Sequence, residues 1–61
     1  MHLLRKIARF LDETNMPATK FGRLAVRDPR FVHDLRNGRE PGVQISQRVE
    51  HFMNIWRKDH A

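Results

Sequence analysis

Apolar residues along the chain recur at helical spacing, and no alternating strand pattern competes with them. Leu3, Leu4, Ile7, Phe10 and Leu11 form a first stripe, with Arg5, Lys6, Arg9 and Asp12 outside it. The spacing predicts a helix over about residues 2–13, ended by Asp12-Glu13-Thr14-Asn15. Such a stripe also suits a helix lying on a membrane surface. Docking on a core explains it better, because acids interrupt the basic face and neighbouring segments are there to pack against. A second helix is predicted over about 17–25. With Pro17 as its cap, Met16 and Phe21 stand at the two positions of a hydrophobic staple. Proline has no side-chain acceptor, so a cap bond worth roughly 1 kcal/mol is missing unless Thr19 supplies it. Gly22 costs about 1 kcal/mol relative to alanine inside a helix. Its structural explanation is a close approach by the next helix.

That next helix is predicted over about 29–37. Asp28 accepts hydrogen bonds from the free amides of a first turn, and Pro29 suits the following position because its missing N–H would be unpaired anyway. Gly38 stops the helix where a left-handed residue is needed. Phe21, Leu24, Val32 and Leu35 supply the apolar positions of this helix pair, leaving Arg30, His33, Asp34 and Asn37 outside. Gly38-Arg39-Glu40-Pro41-Gly42 is a loop by composition. A last helix over about 43–58 carries Ile45, Val49, Phe52, Met53 and Trp56 on one stripe. Ile55 falls off that stripe and is expected at the surface, and Arg57 and Lys58 suit the helix C-terminus.

Sixty-one residues make one domain, spanning 1–61. A chain this short hides only about 60% of the surface it exposes when unfolded. It has no cysteine to staple it, so stability falls to helix packing, with or without a second subunit. The net charge of +5 favours polyanionic partners, and nine of the twelve basic residues are arginine, the better residue for phosphate and guanine. Between Lys20 and Arg39 there are six basic side chains and two acidic ones. No apolar run approaches the ~20 residues of a membrane span. Met1-His2-Leu3-Leu4 is broken by Arg5, Lys6 and Arg9 and lacks the apolar core of a signal peptide, so a cytoplasmic location is expected.

Catalysis is not expected. There is no cysteine or tyrosine, and the single serine, Ser46, lies early in a predicted helix with no base nearby in sequence. The seven carboxylates are scattered, most beside a basic residue. His2, His33, His51 and His60 lack metal-ligand spacing, so neither a metal, another cofactor nor a small-molecule ligand is expected. His51 and His60 are placed on helix surfaces. His33 stands on the outward face of the 29–37 helix, where it can donate to guanine or to phosphate.

Three linked segments are specific: Met16-Pro17-x-x-x-Phe21-Gly22, then Asp28-Pro29-Arg30-Phe31-Val32, then Leu35-x-Asn37-Gly38-x-x-Pro41. Over these 26 residues the chain resembles the helix-turn-helix core of the Cro/lambda-repressor-like (Xre) family. Phe21-Gly22 matches that family's leucine-alanine pair in the scaffold helix. Asp28 matches its polar cap, Val32 its inward aliphatic residue, and Asn37-Gly38 its helix stop. The resemblance implies an all-α, compact four-helix domain that binds double-stranded DNA, with the 29–37 helix in the major groove.

By position, the resemblance implies that Pro29, Arg30, His33 and Asp34 meet base edges. Arg30 would grip guanine O6 and N7 together. Asp34 would accept from cytosine N4 or hold Arg30 in place, the holding role being favoured. Pro29 would offer only apolar contact, such as with a thymine methyl. Lys20, Arg27, Arg36, Asn37 and Arg39 suit phosphate oxygens. Phe31 either joins the edge of the core or lies against the DNA backbone with them. One departure concerns the turn: where the family has glycine and then an apolar residue, this chain has Val26 and Arg27. A β-branched residue resists the left-handed conformation, so a turn shifted by one residue is expected, with Arg27 left-handed and Val26 buried. The chain also has four predicted helices where many family members have five.

The function implied is that of a small bacterial or prophage transcriptional regulator. One such helix spans few base pairs, so a homodimer on a two-fold site is the expected binding form. Ile55 and Trp56 on the last helix are its candidate contact surface, against the plainer reading of core plus one stray apolar residue. The rival from another class is a protein-interaction module, an antitoxin or adaptor using the same basic face on an acidic partner. A third reading is structured-RNA or nonspecific nucleic-acid binding.

Overall fold

The computed structural model describes residues 3–60, and all the regular structure among them is helical: α1 Leu3–Thr14, α2 Ala18–Val26, α3 Phe31–Arg36 and α4 Val43–Asp59. His2, counted with the first helix and among the histidines, lies outside the described residues.

Each break between helices has a local cause. Thr14 Oγ1 donates to the Phe10 carbonyl at 2.8 Å and accepts the Met16 N–H at 3.3 Å. Asn15 then takes a left-handed φ of 57°, which ends α1. Asparagine is among the few residues besides glycine that visit this region readily. Pro17 caps α2 without a side-chain bond, and the staple residues on either side, Met16 and Phe21, are both buried. Arg27 closes α2 at φ 58° and ψ 33°, its N–H bonded to the Arg23 carbonyl at 3.1 Å. The left-handed residue is therefore Arg27, and Val26 is the last residue of α2, half-buried against the core.

The helix predicted over 29–37 is shorter than its pattern. Asp28 does not cap α3, whose N-cap position is Arg30 with no side-chain bond; its Oδ1 instead accepts the Arg30 N–H at 3.0 Å, inside the turn before the helix. The Phe31 N–H donates to the Asp28 carbonyl at 3.1 Å, which makes Asp28 to Phe31 a tight turn. Arg30, at φ −95° and ψ 2°, has the third-residue geometry of a type I turn. Pro29 and Arg30 thus precede α3 instead of opening it. At the far end Gly38 has φ 99°, its N–H donates to the Leu35 carbonyl, and the Arg39 N–H donates to the Asp34 carbonyl at 2.9 Å. This paired closure is a Schellman motif.

The core joins Ile7 and Phe10 of α1, Met16, Phe21 and Ala25, Phe31, Val32 and Leu35 of α3, and Val49 and Met53 of α4. Phe21 and Phe52 meet edge to face at 5.5 Å between centroids, and Phe10 touches both of them and Trp56. One inward assignment shifts, and one open position is resolved. Leu24 is 48% exposed, because Gly22 and Ala25 take the buried face of α2. Phe31 is 1% exposed and belongs to the core, not to a surface that meets a ligand. Gly22 explains the geometry: a Cβ there would collide with the Asp28 carbonyl oxygen and press on Phe31 Cβ at 3.2 Å. The turn before α3 rests directly on the α2 backbone.

At the end of α4 the His60 ring stacks on Trp56, with centroids 3.8 Å apart and planes 10° from parallel. Its Nδ1 donates to the Trp56 carbonyl at 2.9 Å. No helix among the described residues is long and apolar enough to cross a membrane.

Candidate functional site

The unusual surface is the one running from α2 through the turn to α3. Lys20, Arg23, Arg27, Arg30 and Arg36 are all exposed, and none has an ion-pair partner among the described residues. Lys20, Arg23 and Arg27 follow i, i+3, i+7 spacing and so share one side of α2 and its C-terminus. Leu24, four residues after Lys20 and three before Arg27, lies beside that row and borders α4 residues Arg48, His51, Phe52 and Ile55. Arg23 completes the row and was not among the contact candidates read from the sequence. Its spacing from Lys20 and Arg27 was the available signal.

The segment's two carboxylates are both engaged by Arg39. Its Nη1 lies 3.2 Å from Asp28 Oδ2 and 3.2 Å from Asp34 Oδ2. The same guanidinium sits 5.7 Å from the centroid of the Phe31 ring. Asp34 therefore holds Arg39 and not Arg30, and Arg39 does not stand free as a phosphate candidate. The Schellman closure causes this: left-handed Gly38 turns the chain back, so that the next residue lies over the last turn of α3 instead of continuing beyond it.

Of the base-edge candidates, Pro29 and Arg30 project from the tight turn and His33 from α3, all three exposed, whereas Asp34 is half-buried beneath Arg39. Asn37, just past the last residue of α3, donates from Nδ2 to His33 Nε2 at 3.0 Å. The Arg30 side chain has no hydrogen-bond or ion-pair partner among the described residues, while its backbone is held at both ends, the N–H by Asp28 Oδ1 and the carbonyl by the Asp34 N–H at 2.8 Å. The phosphate candidates Lys20, Arg27 and Arg36 are exposed on α2, at its C-terminus and on α3. Arg27 stands there in a backbone conformation that a turn of this shape requires.

The charges elsewhere are arranged differently. On α1 and α4, Lys6 pairs with Glu50 at 3.5 Å, while Glu13 accepts from both Arg9 at 3.4 Å and Arg57 at 3.2 Å. Arg5, Arg48 and Lys58 have no ion-pair partner among the described residues, but they are scattered positions on those helices. Trp56 is half-buried in the aromatic cluster, leaving Ile55, 45% exposed, as the outward apolar residue of the last two turns. No group of three or more metal-ligating side chains occurs among the described residues.

No family model, curated protein or solved structure matches the chain. The functional reading rests on these residues and their arrangement.

Proposed function

We propose that this chain is a sequence-specific double-stranded DNA-binding protein of helix-turn-helix type, acting as a small bacterial or prophage transcriptional regulator in the cytoplasm. The turn at Pro29-Arg30 and the outer face of α3 enter the major groove, and α2 lies across the backbone. One observation carries this reading. Five exposed cations between Lys20 and Arg36 have no acidic partner, while both carboxylates of the same segment are taken up by Arg39. A surface so built has uncompensated positive charge where a duplex presents phosphates. Arg30, on a turn whose backbone is fixed by Asp28, has the reach and the forked donors to read guanine.

The rival, a protein-interaction module, draws on a different observation. Leu24 and Ile55 are exposed together beside a shallow groove of about 230 Å³ between α2 and α4. The same pair is a candidate contact for a homodimer.

Selection from a random duplex library at fixed salt tests the proposal. A regulator of this kind prefers its site over random DNA by some 10³-fold or more. Recovered half-sites about one helical turn apart would add the two-fold symmetry of a dimer. Recovery of no preferred sequence would overturn the regulator reading.

A further inference from the structure

Arg39 was expected to touch phosphate, yet its surroundings give it another task. Its Nη1 is shared between Asp28 Oδ2 and Asp34 Oδ2, each 3.2 Å away, and its guanidinium covers the Phe31 ring. Its backbone is fixed as well, by the bond from its N–H to the Asp34 carbonyl. The three side chains together carry a net charge of −1, so the group as a whole does not attract a polyanion. We infer that Arg39 is a positioning residue that masks Asp28 and Asp34 from DNA phosphates and ties the turn before α3 to the middle of that helix. The inference rests on the DNA-binding reading above.

The masking follows from where the two carboxylates stand. Asp28 directly precedes Pro29 and Arg30, and Asp34 is one helical position from His33. Both are thus within a Debye length, about 10 Å at 0.1 M salt, of any phosphate those residues approach. Asp28 is built into the turn, because its Oδ1 holds the Arg30 N–H that shapes it. Repulsion from two acids that the structure retains is offset by the one arginine placed between them. Exposed ion pairs contribute little to stability, so a purely structural clamp predicts little change in DNA affinity.

A thermodynamic cycle separates masking from phosphate contact. Binding of the full chain to a random-sequence duplex is measured by fluorescence anisotropy across a salt series. The four proteins are the native chain, Arg39→Met, Asp28→Asn with Asp34→Asn, and all three changes together. Asparagine keeps the side-chain oxygen that caps the turn. The expected result is about a tenfold loss for Arg39→Met in the native background at 0.1 M salt, and less than about twofold when both acids are already amides. An equal or larger loss in the amide background, with the salt slope falling by about 0.9, would make Arg39 a phosphate ligand and overturn the inference alone. So would an unchanged affinity in Arg39→Met. Failure of the native chain to bind any duplex would remove the DNA reading and this inference with it. Should Arg39→Met fail to fold, the comparison within the amide background still decides, because the clamp is absent from both of its members.

Discussion

Two charged surfaces of this molecule have similar numbers of cations and opposite electrostatic characters. Along α1 and α4, Lys6, Arg9 and Arg57 each face a glutamate, and Glu13 serves two of them. Along α2, the turn and α3, five cations face none, and the sixth is surrounded by the segment's only acids. The first surface is a seam of ordinary exposed ion pairs, three cations on two glutamates, worth roughly 0–1 kcal/mol each. The second is a charged platform. The pairing pattern separates them more sharply than net charge does, and it is the middle of the chain that leaves its cations unpaired among the described residues.

The contrast can be broken most severely by neutralising the row on α2. Replacing Lys20, Arg23 and Arg27 together with glutamine should lower the salt slope of duplex binding by about 2.7 and weaken binding a few hundredfold at 0.1 M salt. Titrations at several salt concentrations check both numbers. The same change at Lys6, Arg9 and Arg57 should leave duplex affinity within about twofold, since each of those charges is already paired with a glutamate.

Gly22→Ala comes next. The new methyl meets a backbone oxygen, which cannot rotate away, so unfolding stability should fall by about 1–3 kcal/mol despite alanine's better helix propensity. Denaturant melts measure this. Variants that stay folded should lose duplex binding while keeping the Glu13 pairs.

Arg30→Ala should cost roughly 1–3 kcal/mol on the preferred site and relax discrimination at a single base pair. Competition among single-base variants of that site is the measurement. The smallest effect belongs to the seam: Glu13→Gln releases Arg9 and Arg57 and should cost under about 1 kcal/mol of stability, with no loss of DNA affinity.

Most of the fold was legible in the sequence, because three helices obey apolar periodicity and end at residues with strong local preferences. α1, α2 and α4 fall within a residue of their predicted bounds. The shift of the turn onto Arg27 followed from the cost of a left-handed valine. α3 was overextended because aspartate followed by proline signals a helix start without saying whether the first turn is tight or α-helical. Leu24 and Ala25 both fit an apolar face by spacing. Which one turns inward depends on the small separation that Gly22 permits, a tertiary fact. Phe31 could not be settled from periodicity, since the helix it opens has only six residues. The partner of Asp34 was misplaced for a definable reason: one-turn spacing along a helix favours Arg30, whereas the reversal at Gly38 returns Arg39 to the same spot. The residues after a left-handed helix stop commonly fold back onto its last turn. That signal was present in Asn37-Gly38-Arg39.

The stacked pair at the end of α4 gives the protein an intrinsic optical reporter. Trp56 is the only indole in the chain, and its ring neighbours are Phe10, Phe52 and His60, none of them in α2 or α3. Its emission should therefore shift to the red as the chain denatures, yet stay almost constant while the exposed faces of α2 and α3 take up a ligand. Loss of folding and loss of recognition can then be told apart in one cuvette without attaching a dye.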